Sequence, residues 1–126
     1  MRVLIVEDSP EVASRISEAI SHIEGSAVLG MVESAPEAIS GIAALRPDVV
    51  VLDLGLAEGS GYDVLKACRS LAGRPVVLVF SNHLDESVDA YCLQLGATRC
   101  FDKTHQLPDL LEFLRAWVRT GMIAPQ

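Results

Sequence analysis

Apolar positions along this chain alternate between short continuous runs and longer periodic stretches. Solid runs occupy Val3 to Val6, Val49 to Leu54 and Val76 to Phe80, and weaker ones lie at Ala27 to Val32 and Thr98 to Phe101. Continuous rather than alternating apolarity predicts strands covered on both faces, which is the mark of a parallel sheet. The stretches between them carry helical spacing. The first opens at Ser9-Pro10, a cap followed by proline at the first helical position, and presents Val12, Ile16, Ala19, Ile20 and Ile23. The second has Ser34 and Glu37 at capping-box spacing, then Ala38, Ile39, Ile42 and Leu45, and stops before Pro47. Ser60 and Asp63 open the third, with Val64, Leu65, Cys68 and Leu71 on its apolar side. The fourth shows Val88, Tyr91, Cys92 and Leu95 before Gly96, and the fifth runs from Pro108 through Leu110, Leu111, Leu114 and Trp117. Five alternations of strand and helix in 126 residues predict an α/β fold, with right-handed crossovers and helices on both faces of a parallel sheet.

Composition narrows the partners. Seventeen acidic against ten basic residues give a net charge of −7, and the basic residues are scattered singly, which argues against direct nucleic-acid binding. Aromatic residues make up 5% of the chain, too few for a base-stacking platform. Cys68, Cys92 and Cys100 form no CxxC pair or ligand cluster, so they read as buried free thiols of a reducing compartment. The opening MRVLIVEDSP is too short in apolar length for a signal segment, and no stretch approaches the roughly 20 apolar residues of a membrane span. A cytoplasmic protein without membrane partners is expected, with residues 1–119 forming one domain and 120–126 a tail or the start of a linker.

Open α/β sheets bind ligands beyond the carboxyl ends of their strands. Polar residues at those ends are Glu7 and Asp8 after the first strand, Asp53 after the third, Ser81 and Asn82 after the fourth, and Lys103 after the fifth. Asp53 interrupts VVVLDLGL, where a carboxylate is costly unless something compensates it. Each residue alone has an ordinary structural reading: a loop-capping acid, a solvated strand-end pair, a turn serine, a surface lysine. Together they stand at the same end of different strands. Three converging carboxylates repel one another unless a divalent cation joins them, and an oxygen-only set without His or Cys favours Mg²⁺. A metal beside a carboxylate, an ammonium and a hydroxyl suits phosphoryl transfer, with the carboxylate attacking and the others stabilising charge on the phosphoryl oxygens.

The segments VEDSP, VLDLGLAEGSGYDVL, VFSN and GATRCFDK, in that order and spacing, resemble the receiver domain of two-component response regulators from Arg2 to about Val118. The resemblance implies a flavodoxin-like, doubly wound sheet of five parallel strands in the order 2-1-3-4-5, flanked by five helices. It implies that Asp53 is the phosphoacceptor, that Asp8, Asp53 and the Gly55 carbonyl hold Mg²⁺, and that Glu7 acts mainly through a metal-bound water. Lys103 would pair with Asp53 and then with a phosphoryl oxygen. Ser81 would donate its hydroxyl to another, with the amide of Asn82 beside it. The implied partners are a sensor histidine kinase or phosphotransfer protein upstream and an output protein or domain downstream. A homodimer through the fourth helix, fifth strand and fifth helix is a further expectation.

Four positions depart from the family's pattern. Cys100 stands at the switch position usually held by an aromatic ring, Asn82 replaces a small residue, Thr104 replaces a proline, and Glu58 replaces a glycine. Cys100 and Asn82 keep open a second reading, a pseudo-receiver that binds partners without phosphorylation. An aspartyl phosphatase using D-x-D is disfavoured by Gly55 at the second acid position. A flavin carrier is disfavoured because Glu7 and Asp8 would repel a cradled phosphate.

Overall fold

The computed structural model describes residues 1–82 and 84–121. Five strands, β1 (Arg2–Val6), β2 (Ala27–Val32), β3 (Val49–Leu52), β4 (Val76–Ser81) and β5 (Arg99–Asp102), alternate with α1 (Pro10–Ser21), α2 (Ala35–Leu45), α3 (Gly61–Arg69), α4 (Glu86–Gln94) and α5 (Leu107–Thr120). All strand pairs are parallel, in the order β2-β1-β3-β4-β5, as the family resemblance implies. Residues 122–126 of the expected tail lie outside the described residues, while Thr120 closes α5 and Gly121 caps it in the left-handed region.

Side chains that alternate along each strand feed two separate cores. Leu4, Val6, Val50, Leu52, Val77 and Val79 face α2, α3 and α4. Val3, Ile5, Val49, Val51, Leu78 and Phe80 face α1 and α5, where Ile16, Ile20, Leu110 and Leu114 complete the layer. The central strand β3 is wholly buried. Strand β2, whose run is also continuous and apolar, is instead half-buried, because it forms an edge with no strand beyond it.

Element ends differ slightly from the periodic pattern. Strand β3 stops at Leu52, leaving Asp53 and Leu54 just past its end rather than inside it. Ile23 lies beyond the end of α1 yet remains buried, and Leu71 lies beyond α3. The caps follow the sequence: Ser9 and Ser34 hydroxyls accept from Val12 N and Glu37 N, and the Asp63 carboxylate accepts from Ser60 N at 3.0 Å.

The Asp53 loop needs two glycines. Gly59 adopts φ +74, where a side chain is strained, and a Cβ there would also lie 2.7 Å from Ala35 Cβ. At Gly61 a Cβ would lie 2.6 Å from the Asp53 carbonyl oxygen, so only glycine lets α3 start against the β3 end. Glu58 is tolerated where the family often has glycine, because its φ is not positive and only its backbone is used, accepting from Ala35 N at 2.9 Å.

Candidate functional site

Parallel strands bring their carboxyl ends to one edge, and the adjacency of β1 and β3 sets Glu7 and Asp8 beside Asp53. Backbone pairing continues past the strand ends: Asp53 N donates to the Val6 carbonyl and Glu7 N to the Val32 carbonyl, each at 2.9 Å. The two acids are therefore fixed by the sheet itself. Opposite them, Lys103 N donates to the Ser81 carbonyl at 3.1 Å, holding the ends of β4 and β5 together.

Asp53 is 7% exposed and both of its carboxylate oxygens are engaged. The Ser81 hydroxyl donates to Oδ1 at 2.7 Å, and the Lys103 ammonium donates to Oδ2 at 2.8 Å. Lys103 also lies 2.8 Å from Glu7 Oε2, so one cation bridges two buried carboxylates. Gly55 N approaches Asp53 Oδ1 at 3.4 Å, and Leu54 N approaches Ser81 Oγ at 3.5 Å.

The charges are unevenly compensated. Burial pushes the Glu7 carboxyl from 4.5 up to about 7, against the hydrogen bond from Lys103 and with the help of the Asp53 charge. Burial by itself would lower the Lys103 ammonium, but its hydrogen bonds to Asp53 and Glu7 outweigh that and raise it. A further cation at this point would relieve Glu7. One oxygen from each of Glu7, Asp8 and Asp53 lies within 4.8 Å of the others, a hard oxygen set of the kind Mg²⁺ takes. Asp8 is the exposed member, open to a metal that retains waters.

A cavity of about 590 Å³ opens over Asp53. Every residue predicted for metal or phosphoryl binding lines it: Glu7, Asp8, Gly55, Ser81, Asn82 and Lys103 surround Asp53. Cys100 does not line the cavity. It is half-buried rather than buried, and it packs against the core cluster that includes Cys92 of α4. The sequence separates Cys92 from Cys100, yet the fold brings the two thiols close enough to influence each other's ionisation. Burial pushes the Cys100 thiol up to about 12, aided by Cys92 and by the charge of Asp89.

Tyr62 is a wall of the same cavity that the pattern of the third helix did not single out. It lies three residues before Leu65, so extending the Leu65 stripe back by one turn reaches it. Its ring packs on Tyr91 of α4, with centroids 5.3 Å apart. The peptide at Thr104 is trans. Its loop is held instead by side chains: Thr104 N donates to Asp102 Oδ1 and Asp102 N donates to Gln106 Oε1, each at 2.7 Å.

The response regulator receiver domain profile matches residues 3–115. Among curated proteins, a protein-glutamate methylesterase/protein-glutamine glutaminase of Myxococcus xanthus is 36% identical across 96% of this chain and 36% of its own length. One from Rhizobium etli is 33% identical across 94% of this chain and 36% of its own length. The chain thus spans about a third of these relatives, and the activity in their names belongs to those proteins. Among solved structures, a LuxR-family two-component response regulator from Aurantimonas superposes with a TM-score of 0.86 at 25% identity, over 94% of this chain and 85% of that one. The response regulator domain of Thermotoga maritima CheB superposes with a TM-score of 0.84 at 24% identity, over 99% of this chain and 98% of that one.

Proposed function

Because this chain belongs to the response regulator receiver domain family, we propose that it is a signalling domain that accepts a phosphoryl group on Asp53. The observation that carries the proposal is the Asp53 carboxylate itself, buried to 7% exposure yet opening onto a cavity and held between Ser81 and Lys103 beside two further acids. In the transfer an Asp53 oxygen attacks phosphorus, the bond to the donor's leaving atom breaks, and the leaving group departs with that bond's electrons. Lys103 follows the charge from the carboxylate to a phosphoryl oxygen, and Ser81 turns its hydroxyl to another. Asp8, Asp53 and the Gly55 carbonyl would hold Mg²⁺, with Glu7 acting through a water. Mg²⁺ supplies charge neutralisation where an anionic group meets three carboxylates.

The donor in this reading is a histidine kinase or phosphotransfer protein, and the surface read downstream is the face of α4, β5 and α5, by an output partner or a second copy. The only reactions assigned to the chain are its own phosphorylation and dephosphorylation, in a domain of residues 1–119 followed by a tail or linker. Among the described residues no helix is long and apolar enough to cross a membrane. The test is intact mass after incubation with phosphoramidate and Mg²⁺. Wild type should gain one phosphoryl group and Asp53→Ala none. Equal incorporation in the two would remove Asp53 from the acceptor role.

A further inference from the structure

Two of the positions that depart from the family's pattern touch each other. Thr104 Oγ1 donates to Asn82 Oδ1 at 3.3 Å, joining the loop after β4 to the loop after β5. Asn82 directly follows Ser81 and Thr104 directly follows Lys103, the two residues that grip Asp53 from either side. The contact therefore ties down a side chain that lines the cavity, from a residue just outside its lining.

Thr104 is placed by its own loop. Its N–H is taken by Asp102 Oδ1, Asp102 N–H is taken by the Gln106 side chain, and Gln106 N returns to the Asp102 carbonyl at 2.8 Å. A closed turn of this kind fixes the backbone of residue 104 and leaves its hydroxyl to be aimed. A proline at this position would have no hydroxyl to offer. A small residue at position 82 would have no carboxamide to receive one. The two departures make sense as a pair.

We propose that Thr104 is a positioning residue that fastens the Asn82 carboxamide across the mouth of the Asp53 cavity, and so restrains the entry of small phosphoryl donors and of water. With its oxygen held by Thr104, the carboxamide keeps a fixed place at the rim instead of rotating into solvent. The bond is exposed and long, so its effect is at most that of one ordinary hydrogen bond. Losing it should raise passage through the mouth about two- to tenfold. The proposal rests on the reading of Asp53 as phosphoacceptor.

Thr104→Val removes the hydroxyl and keeps the shape, and Thr104→Ser restores the hydroxyl. Nitrogen relaxation of the Asn82 side-chain NH₂, recorded without any donor, should show a lower order parameter in Thr104→Val and a wild-type value in Thr104→Ser. Uptake from phosphoramidate and loss of the phosphoryl group should both quicken about two- to tenfold in Thr104→Val. Thr104→Ser should restore wild-type rates, and Asn82→Ala should gain nothing from adding Thr104→Val. An unchanged Asn82 order parameter, unchanged rates in Thr104→Val, or failure of Thr104→Ser to restore them would each overturn the proposal. If wild type takes up no phosphoryl group, the acceptor reading falls and the gating role with it. If wild type is phosphorylated but Thr104→Val behaves identically, the gating role alone falls.

Discussion

Tyr62 on α3 and Tyr91 on α4 pack ring against ring with centroids 5.3 Å apart and planes tilted by 46°. Tyr62 forms part of the Asp53 cavity wall, whereas Tyr91 of α4 is 42% exposed. The pair is thus a direct aromatic link between the cavity and a surface. Tyr62 packs against the same core cluster as Cys100, a residue with much less bulk than a ring.

The first prediction concerns that link. Tilted aromatic pairs contribute about 0.5–1.5 kcal/mol beyond the area they bury. A double-mutant cycle of Tyr62→Leu and Tyr91→Leu, read by urea unfolding, should return a coupling energy of about that size. Additive effects would mean that the rings are neighbours without energetic contact.

A second prediction separates the metal acids from the general acidity of the chain. Asp8→Ala should weaken Mg²⁺ binding by more than about tenfold. Glu112→Ala should leave it unchanged, since Glu112 is exposed on α5 and pairs with Arg115 at 3.6 Å, outside the Asp53 cavity. Titration calorimetry of both variants decides the matter, and similar affinities in the two would place the metal elsewhere.

Most of this arrangement is legible in the sequence for a physical reason. A buried parallel strand tolerates no polar residue without cause, so Asp53 after VVVL and Glu7-Asp8 after VLIV mark the strand ends by contrast. Serine caps and helix-opening prolines did the same for the helices. The half-buried state of β2 was hidden because an edge position is a property of strand order, which local pattern does not carry. Tyr62 and the contact of Cys92 with Cys100 escaped for a related reason. Each depends on how α3, α4 and β5 lie against one another, whereas periodicity describes one element at a time. Thr104 and Asn82 were each visible as departures, but 22 residues of chain separate them and only the fold shows that they meet.

The third prediction is a pH dependence of the metal-free protein. Glu7 has its carboxyl raised from 4.5 to about 7. Between those values the folded protein holds a proton that the unfolded chain has released, so stability falls as pH rises through this window. Urea midpoints in chelator at pH 5, 6 and 7 should show a decline in wild type that is smaller in Glu7→Gln, which cannot ionise. Because Mg²⁺ competes with the same proton, its affinity should strengthen with rising pH over this range. Parallel stability profiles for wild type and Glu7→Gln would show that Glu7 ionises normally.

The last prediction concerns how occupation of the site is read out. Ser81 Oγ now bonds Asp53 Oδ1, and a phosphoryl oxygen would draw that hydroxyl away. In the family a ring at the position of Cys100 fills the space that such a movement vacates. A thiol has too little area to couple the two positions through burial. Cys100 also lies near the thiol of Cys92, which is fully buried in α4. The response should therefore concentrate in the backbone after β4 and at the start of α4, where Asp85 Oδ1 caps Val88 N at 2.8 Å and Val88 lines the cavity. His83 lies outside the described residues, so amides 84–88 provide the measurement. Adding beryllofluoride and Mg²⁺ should change amide exchange there more than at residues 99–102. A change centred on Cys100, with amides 84–88 unaltered, would show that the thiol moves as the ring does and that this account of the switch is wrong.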